Sequence, residues 1–211
     1  MQTPTPVFLP EASTPAPRPS SAPKLSMSGH RASGGKKSPH RIEAALAEAV
    51  ELLQAGRVEE ARHRLEEAAA AHSSDAEAPY LLAKIAANRL DIETAEQWID
   101  VALGRSPVHA PTHYLRGLLH QEDGHFEAAL DLYRRCVYAD PSFVLGHFAL
   151  AGVLGRVGQP KRARKSLGNV TGLLAGRERD EQVAEGDGMT VGRLLELASV
   201  HREFVEQDLA G

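Results

Sequence analysis

Residues 76–109, AEAPYLLAKIAANRLDIETAEQWIDVALGRSPVH, and residues 110–143, APTHYLRGLLHQEDGHFEAALDLYRRCVYADPSF, share one pattern of small and bulky side chains. Two further copies flank them, at 42–75 and 144–177. Position eight of every copy is Ala or Gly, and position twenty is always Ala. Helices approach to about 8 Å only where side chains are short, so these two columns mark places where backbones meet. The repeat therefore predicts four units of paired helices.

A period of 34 residues with two helices per unit is the tetratricopeptide pattern. We expect an all-α fold, a tetratricopeptide-repeat solenoid of four helix pairs plus a C-terminal capping helix. Gly56, Gly124 and Gly158 share position fifteen, between the paired helices, where a residue free to adopt a positive φ is useful. Leu90 occupies this position in the second copy, followed by Asp91, which can cap the next helix.

The regions outside the repeats differ in composition. Residues 1–38 are rich in Pro and Ser and basic, which predicts a disordered linker, with a nucleic-acid-binding arm as the less favoured alternative. The repeats begin near Pro39 and end at residue 177. An acidic, glycine-bearing loop follows at 178–188. The amphipathic segment 189–208 predicts a helix that caps the last repeat, and a free partner-binding helix is the alternative.

The chain offers no pattern typical of an enzyme active site. No glycine-rich nucleotide loop follows a predicted strand, so we expect no catalytic residues and no cofactor. His109 and His113 lie four residues apart, but Pro111 separates them, and packed histidines are favoured over a metal site. Cys136, the single cysteine, is expected to face a neighbouring helix. No apolar run is long enough for membrane insertion, and a cytoplasmic location is expected.

Three C-terminal segments resemble a known family. Residues 138–150, YADPSFVLGHFAL, are similar to the last repeat of CheR-type chemotaxis receptor methyltransferases. Residues 162–169 with Leu173 and Leu174 resemble the second helix of that repeat, and residues 185–194, EGDGMTVGRL, resemble its closing stretch. The resemblance covers about 65 residues and implies the C-terminal regulatory region of such an enzyme. The methyltransferase domain that binds S-adenosylmethionine has no counterpart in this sequence.

Function is then expected to come from a surface. In tetratricopeptide arrays the first helix of each pair lines the concave side, where aromatic anchors can bind a helix or peptide. Packing alone is the alternative explanation for aromatic residues at position five. No binding of nucleic acid is expected. The predicted partner-binding groove consists of residues at positions five, nine, twelve and thirteen: Leu46, Tyr80, Lys84, Asn88, Tyr114, Leu118, Gln121, Phe148 and Arg156.

These observations predict a non-catalytic protein–protein interaction module that regulates a chemosensory receptor methyltransferase. The resemblance implies a protein or peptide partner: the methyltransferase domain, a chemoreceptor segment or a response regulator. Two alternatives remain open. The chain could be a generic tetratricopeptide scaffold or chaperone unrelated to chemotaxis, or a fragment of a methyltransferase whose catalytic domain lies elsewhere.

Overall fold

The computed structural model describes residues 39–210, with side chains from 42 to 209, and the predicted linker 1–38 lies outside the described residues. The described part is all-helical, which confirms the predicted fold class. Its nine helices are α1 (Pro39–Gln54), α2 (Val58–Ala71), α3 (Glu77–Asn88), α4 (Ile92–Arg105), α5 (Ala110–Glu122), α6 (Phe126–Ala139), α7 (Val144–Arg156), α8 (Pro160–Leu173) and α9 (Val191–Ala210).

The first eight helices pack as four consecutive pairs, and each pair packs on the next. The first helices of neighbouring pairs also contact one another, α3 with α5 and α5 with α7, whereas the second helices make no contact of comparable extent. The first helices therefore lie on the inner side of the curve. All residues of the predicted groove belong to these inner helices.

Small residues occupy the closest helix contacts. Ala49, Ala83 and Ala151 at position eight are fully or almost fully buried, and so are the four alanines at position twenty. In the third copy, position eight is Gly117, and a Cβ atom there would lie 2.5 Å from Cε1 of Tyr133. The column is small because a bulky partner at position twenty-four fills the space opposite.

The turn within each pair has the same backbone conformation. Gly56, Gly124 and Gly158 have φ values of +72°, +78° and +69°. Leu90 adopts the same left-handed conformation, with φ at +60°. The side chain of Asp91 then accepts a hydrogen bond from the backbone N–H of Thr94 at 3.2 Å, which caps α4. The packing of the two helices in each pair therefore fixes the backbone conformation at position fifteen, whichever residue is present.

Histidines stabilise two of the joints between repeats. His113 Nε2 lies 2.8 Å from the carbonyl oxygen of Pro107, and His147 Nε2 lies 3.0 Å from that of Pro141. Both rings are buried, at 5% and 7% exposure. Each Nε2 therefore carries the proton and donates to a carbonyl that no helix satisfies. His113 is thus a packed residue with a structural hydrogen bond, as expected from the sequence, and His147 occupies the equivalent position in the next repeat.

The last helix continues the array beyond the fourth pair. α9 packs against α8 and also contacts α7, as the first helix of a fifth pair would. Val191, Leu194 and Ala198 are fully buried in this contact. Thr190 lies immediately before α9, and its Oγ1 accepts a hydrogen bond from the backbone N–H of Arg193 at 3.3 Å. A segment much longer than the other joints, residues 174–190, connects α8 to α9.

Candidate protein-binding groove

The four residues at position five differ in how far they are covered. Tyr80 is buried, with 2% of its surface exposed, whereas Leu46, Tyr114 and Phe148 are half-buried. The ring of Tyr114 lies 5.3 Å from that of Phe143 and 6.0 Å from that of Tyr133, between centroids. The aromatic residues therefore contribute to packing as well as to the concave surface.

The segment between α8 and α9 forms a closed turn. Gln182 and Thr190 make an isolated antiparallel bridge, and the backbone N–H of Val183 donates to the carbonyl of Met189 at 2.9 Å. Val183 is buried at 5% exposure and anchors one side of the turn. We call residues 181–190 the acidic loop; it begins three residues after the start of the predicted loop, 178–188, and ends two residues beyond it. Its backbone contacts hold the tip, residues 184–188, in a defined shape.

The tip of the acidic loop lies against the second repeat. The hydroxyl of Tyr80 donates a hydrogen bond to Oε2 of Glu185. The Nζ of Lys84 lies 3.3 Å from the same oxygen and 2.7 Å from Oδ1 of Asp187. One ammonium and one hydroxyl thus bind two carboxylates of a segment about a hundred residues away in sequence. The groove is occupied at this end by the chain itself.

The electrostatics of this contact fit the geometry. Burial raises the pKa of the Tyr80 hydroxyl well above its usual value, and the charge of Glu185 raises it further. For Lys84, burial alone would lower the pKa, but the hydrogen bond to Asp187 and the charge of Glu185 outweigh it, so the net shift is upward. Both groups therefore remain protonated donors at neutral pH.

The other end of the groove is covered by α9. His201 stacks on Phe148, with ring centroids 5.2 Å apart and an angle of 13° between the planes. Cβ of an alanine at Gly152, one turn along α7, would lie 3.7 Å from the same imidazole. Burial lowers the pKa of His201, and the charge of Arg156 lowers it further, so the ring is held neutral.

The remaining residues of the predicted groove have different surroundings. Gln121 Oε1 accepts a hydrogen bond from the hydroxyl of Tyr133 at 3.1 Å, so this end of its side chain is engaged within the array. The guanidinium of Arg156 lies over the ring of Phe126, 5.1 Å from its centroid. Leu118 is half-buried against the core, and Asn88 is exposed at the end of α3.

Sequence reasoning did not find three residues that lie in the groove: Glu185, Asp187 and His201. The acidic character of the segment that contains Glu185 and Asp187 was evident, but its position against the second repeat was not. One signal was available, because Lys84 is the only cation at position nine and an acidic, glycine-bearing segment follows the repeats. Charge complementarity between the two could have suggested the contact.

The described residues offer no metal site and no reactive thiol. In the range 42–209, no three His, Cys, Asp or Glu side chains are grouped so as to hold a metal ion. The thiol of Cys136 is fully buried, and burial raises its pKa to about 12, which disfavours the reactive thiolate. None of the helices that the structure describes is both long and apolar enough to cross a membrane.

A second concave region lies among α6, α7 and α8, away from the groove residues. This cavity of about 480 Å³ has an apolar floor that includes Val137, Leu150 and Leu154. Arg134, Arg162, Lys165, His147, Ser166 and Asn169 line the rest of it. The amide of Asn169 lies 3.4 Å from Nδ1 of His147, which suits the tautomer that carries its proton on Nε2.

Comparison with known proteins supports the repeat assignment. A family model described as tetratricopeptide repeat matches residues 46–110. No curated protein sequence matches this chain.

Solved structures of low sequence identity share the fold. PilF of Pseudomonas aeruginosa is 19% identical, with 81% of this chain and 76% of that chain covered and a TM-score of 0.58. TTC0263, a thermophilic tetratricopeptide protein of Thermus thermophilus, is 18% identical, with coverages of 80% and 87% and a TM-score of 0.57. MamA of Desulfovibrio magneticus is 19% identical, with coverages of 81% and 96% and a TM-score of 0.52. The matched repeat and these shared folds together support a tetratricopeptide-repeat domain in this chain.

Proposed function

We propose that this chain is a non-catalytic protein-interaction module that binds a segment of a partner protein in its concave groove. One observation carries the proposal: the groove already holds a turn of its own chain through Tyr80 and Lys84. A surface that binds a segment in this way has the shape and the donors needed for a peptide. The aromatic residues at position five supply apolar contact, and Lys84 orients the segment.

The partner we propose belongs to a chemosensory methylation system in the cytoplasm. This proposal rests on the resemblance of three segments to the last repeat and closing stretch of CheR-type methyltransferases: residues 138–150, residues 162–169 with Leu173 and Leu174, and residues 185–194. In the structure these segments form the fourth helix pair with its preceding joint, the tip of the acidic loop and the start of α9. The module would control how the methyltransferase meets its receptor. The alternative is a generic scaffold without a chemosensory partner, and a binding experiment distinguishes the two.

The proposed contact surface is the predicted groove. Leu46, Tyr114 and Leu118 are half-buried and offer apolar area, whereas Phe148 is also half-buried but covered by His201 of α9. Tyr80 is almost fully buried, so its truncation would disturb the array itself. The hydroxyl of Tyr80 can be removed alone by Tyr80→Phe. The polar members of the proposed surface are Lys84, Asn88, Gln121 and Arg156.

Calorimetric titration tests this function. The purified chain is titrated with a receptor methyltransferase domain, a chemoreceptor cytoplasmic segment and a response regulator, each separately. We expect one of them to bind, and Lys84→Glu to weaken that binding at least about tenfold while the helical content measured by circular dichroism is retained. Lys161→Glu, an exposed lysine on α8, serves as the matched control. If none of the three binds, the chemosensory assignment is wrong, and binding that Lys84→Glu leaves unchanged contradicts the groove.

A further inference from the structure

We infer that the acidic loop is an internal ligand of the groove, and that the Lys84 end of the groove recognises an acidic partner segment that replaces it. The inference rests on the proposed function and specifies the partner's chemistry. Such a segment presents two carboxylates two residues apart, as Glu185 and Asp187 do. The free chain is therefore self-blocked at this end.

The chemistry of the subsite is selective for carboxylates. Tyr80 and Lys84 are both donors, and both lie against Oε2 of Glu185. The Lys84 side chain is only 20% exposed, so its ammonium has lost much of its water. A partner that displaces the loop covers this ammonium again, and a covered ammonium without a counter-charge is costly, so the partner must supply carboxylates of its own. A neutral peptide would leave the ammonium unpaired.

The loop tip is built in a way that allows exchange. Glu185 and Asp187 both have left-handed backbone conformations, with φ values of +60° and +46°, which non-glycine residues rarely adopt. The side chain of Asp187 is 57% exposed although it pairs with Lys84. By contrast, the base of the loop is fixed by its own hydrogen bonds and by buried Val183. The tip can thus leave Lys84 while the base and α9 stay in place.

The loop competes with a partner because it is tethered. A segment on the same chain acts at a high effective concentration, on the order of millimolar for short flexible links. The apparent affinity for an external segment is reduced by the fraction of chains in which the groove is free. Weakening the loop contact should therefore increase the affinity for an acidic peptide without any change in the groove itself.

The test uses the full chain and a peptide of defined sequence. The probe is the synthetic segment 180–190, DEQVAEGDGMT, titrated by calorimetry into wild type and into the double variant Glu185→Gln, Asp187→Asn. Asn is suited to the left-handed conformation at 187. The matched control, Glu178→Gln with Asp180→Asn, removes two exposed charges from the same connection without touching Lys84.

We expect the double variant to bind the peptide at least about tenfold more tightly than wild type, and the control to bind it as wild type does. Adding Lys84→Met to the double variant should abolish the gain. Hydrogen exchange checks the mechanism, since the amides of Gly186 and Met189, which are hydrogen-bonded within the loop, should exchange faster in the double variant while those of α9 remain protected. A peptide with Gln and Asn in place of the two acids should bind neither protein.

Two outcomes would overturn the inference. Equal affinity of wild type and the double variant for the acidic peptide would show that the loop does not compete. Absence of binding to the folded double variant would show that the subsite does not recognise acidic segments. Neither outcome touches the proposed function, which fails only if the protein partners do not bind or bind independently of Lys84.

Discussion

Gly117 lies so close to the ring of Tyr133 that no side chain can be accommodated between them. A Cβ at position 117 would lie 2.5 Å from Cε1 and 2.8 Å from Cδ1 of a ring that is fully buried. Alanine is favoured over glycine within a helix by about 1 kcal/mol, but here the clash dominates. We expect Gly117→Ala to lower the free energy of unfolding by about 1–3 kcal/mol in urea denaturation.

Gly168 provides the control for that substitution. It lies within α8 and is exposed, and a Cβ added there would meet no heavy atom of another part of the chain within 4 Å. Gly168→Ala should therefore stabilise the protein by about 0.5–1 kcal/mol, which is the propensity gain alone. The opposite signs of the two changes are the result to look for. Stabilisation by both would mean that the contact with Tyr133 is loose.

Replacement of Leu90 by glycine is expected to stabilise the protein. Leu90 has φ at +60° and 73% of its surface exposed, so the change relieves the backbone without removing buried area. The left-handed conformation costs about 1–2 kcal/mol, and glycine adds an entropic cost of about 0.5–1 kcal/mol, which leaves a net gain of about 0.5–1 kcal/mol. A rise of a few degrees in the melting midpoint, measured by circular dichroism, would agree with this. Gly124→Ala, at the same position of the next repeat, should lower it.

Arg105 is expected to contribute more to the free energy of unfolding than any exposed arginine. Its guanidinium donates to the carbonyl oxygens of Ala69, His72 and Asp75, at 3.1, 3.2 and 3.0 Å, around the end of α2. Arg105→Met keeps most of the aliphatic stem but leaves these carbonyls without their donor, at a cost of about 1.5–3 kcal/mol in denaturation experiments. Arg62→Met, which breaks only exposed ion pairs, should cost about 1 kcal/mol or less. Similar losses for the two variants would contradict the assigned role.

Stability should decrease on mild acidification partly because of His201. Its pKa is lowered in the folded state by burial and by the charge of Arg156, so the unfolded chain binds protons more readily. Unfolding is therefore favoured as the pH falls below the ordinary histidine value of about 6.5. His201→Phe keeps the stack on Phe148 and should reduce this dependence between about pH 7 and pH 5. His113, whose pKa is also lowered, remains in both proteins, so a residual slope is expected.

The repeat columns allowed most of the fold to be predicted, because each column reports a contact between neighbouring helices. The need for a small residue at Gly117 follows from its column, and the structure identifies the ring of Tyr133 as what lies opposite. The cap at Asp91 was predicted as well, whereas the left-handed conformation of Leu90 in the glycine column was shown only by the structure. The small positions recur in all four copies, so the pattern is strong although each single residue is uninformative.

The occupied groove could not be predicted in the same way. Repeat patterns report the contacts between one repeat and the next. The contact between Glu185 and Tyr80, by contrast, joins residues 105 positions apart in sequence. The acidic segment occurs once, so no column reveals where it lies. The resemblance drew attention to 185–194 as a unit, but only the structure places its two carboxylates beside Lys84.

The contact between Tyr80 and Glu185 also affects how the chain folds. A stack of repeats is stabilised by contacts between near neighbours, so its ends can fray independently and folding is rapid. The contact closes a long stretch of chain, and closure of such a loop forms late because its entropy must be lost first. It couples the second repeat to the C-terminal end, so unfolding of either region lowers the stability of the other. This one long-range contact gives a linear stack of repeats some of the unfolding cooperativity of a globular domain.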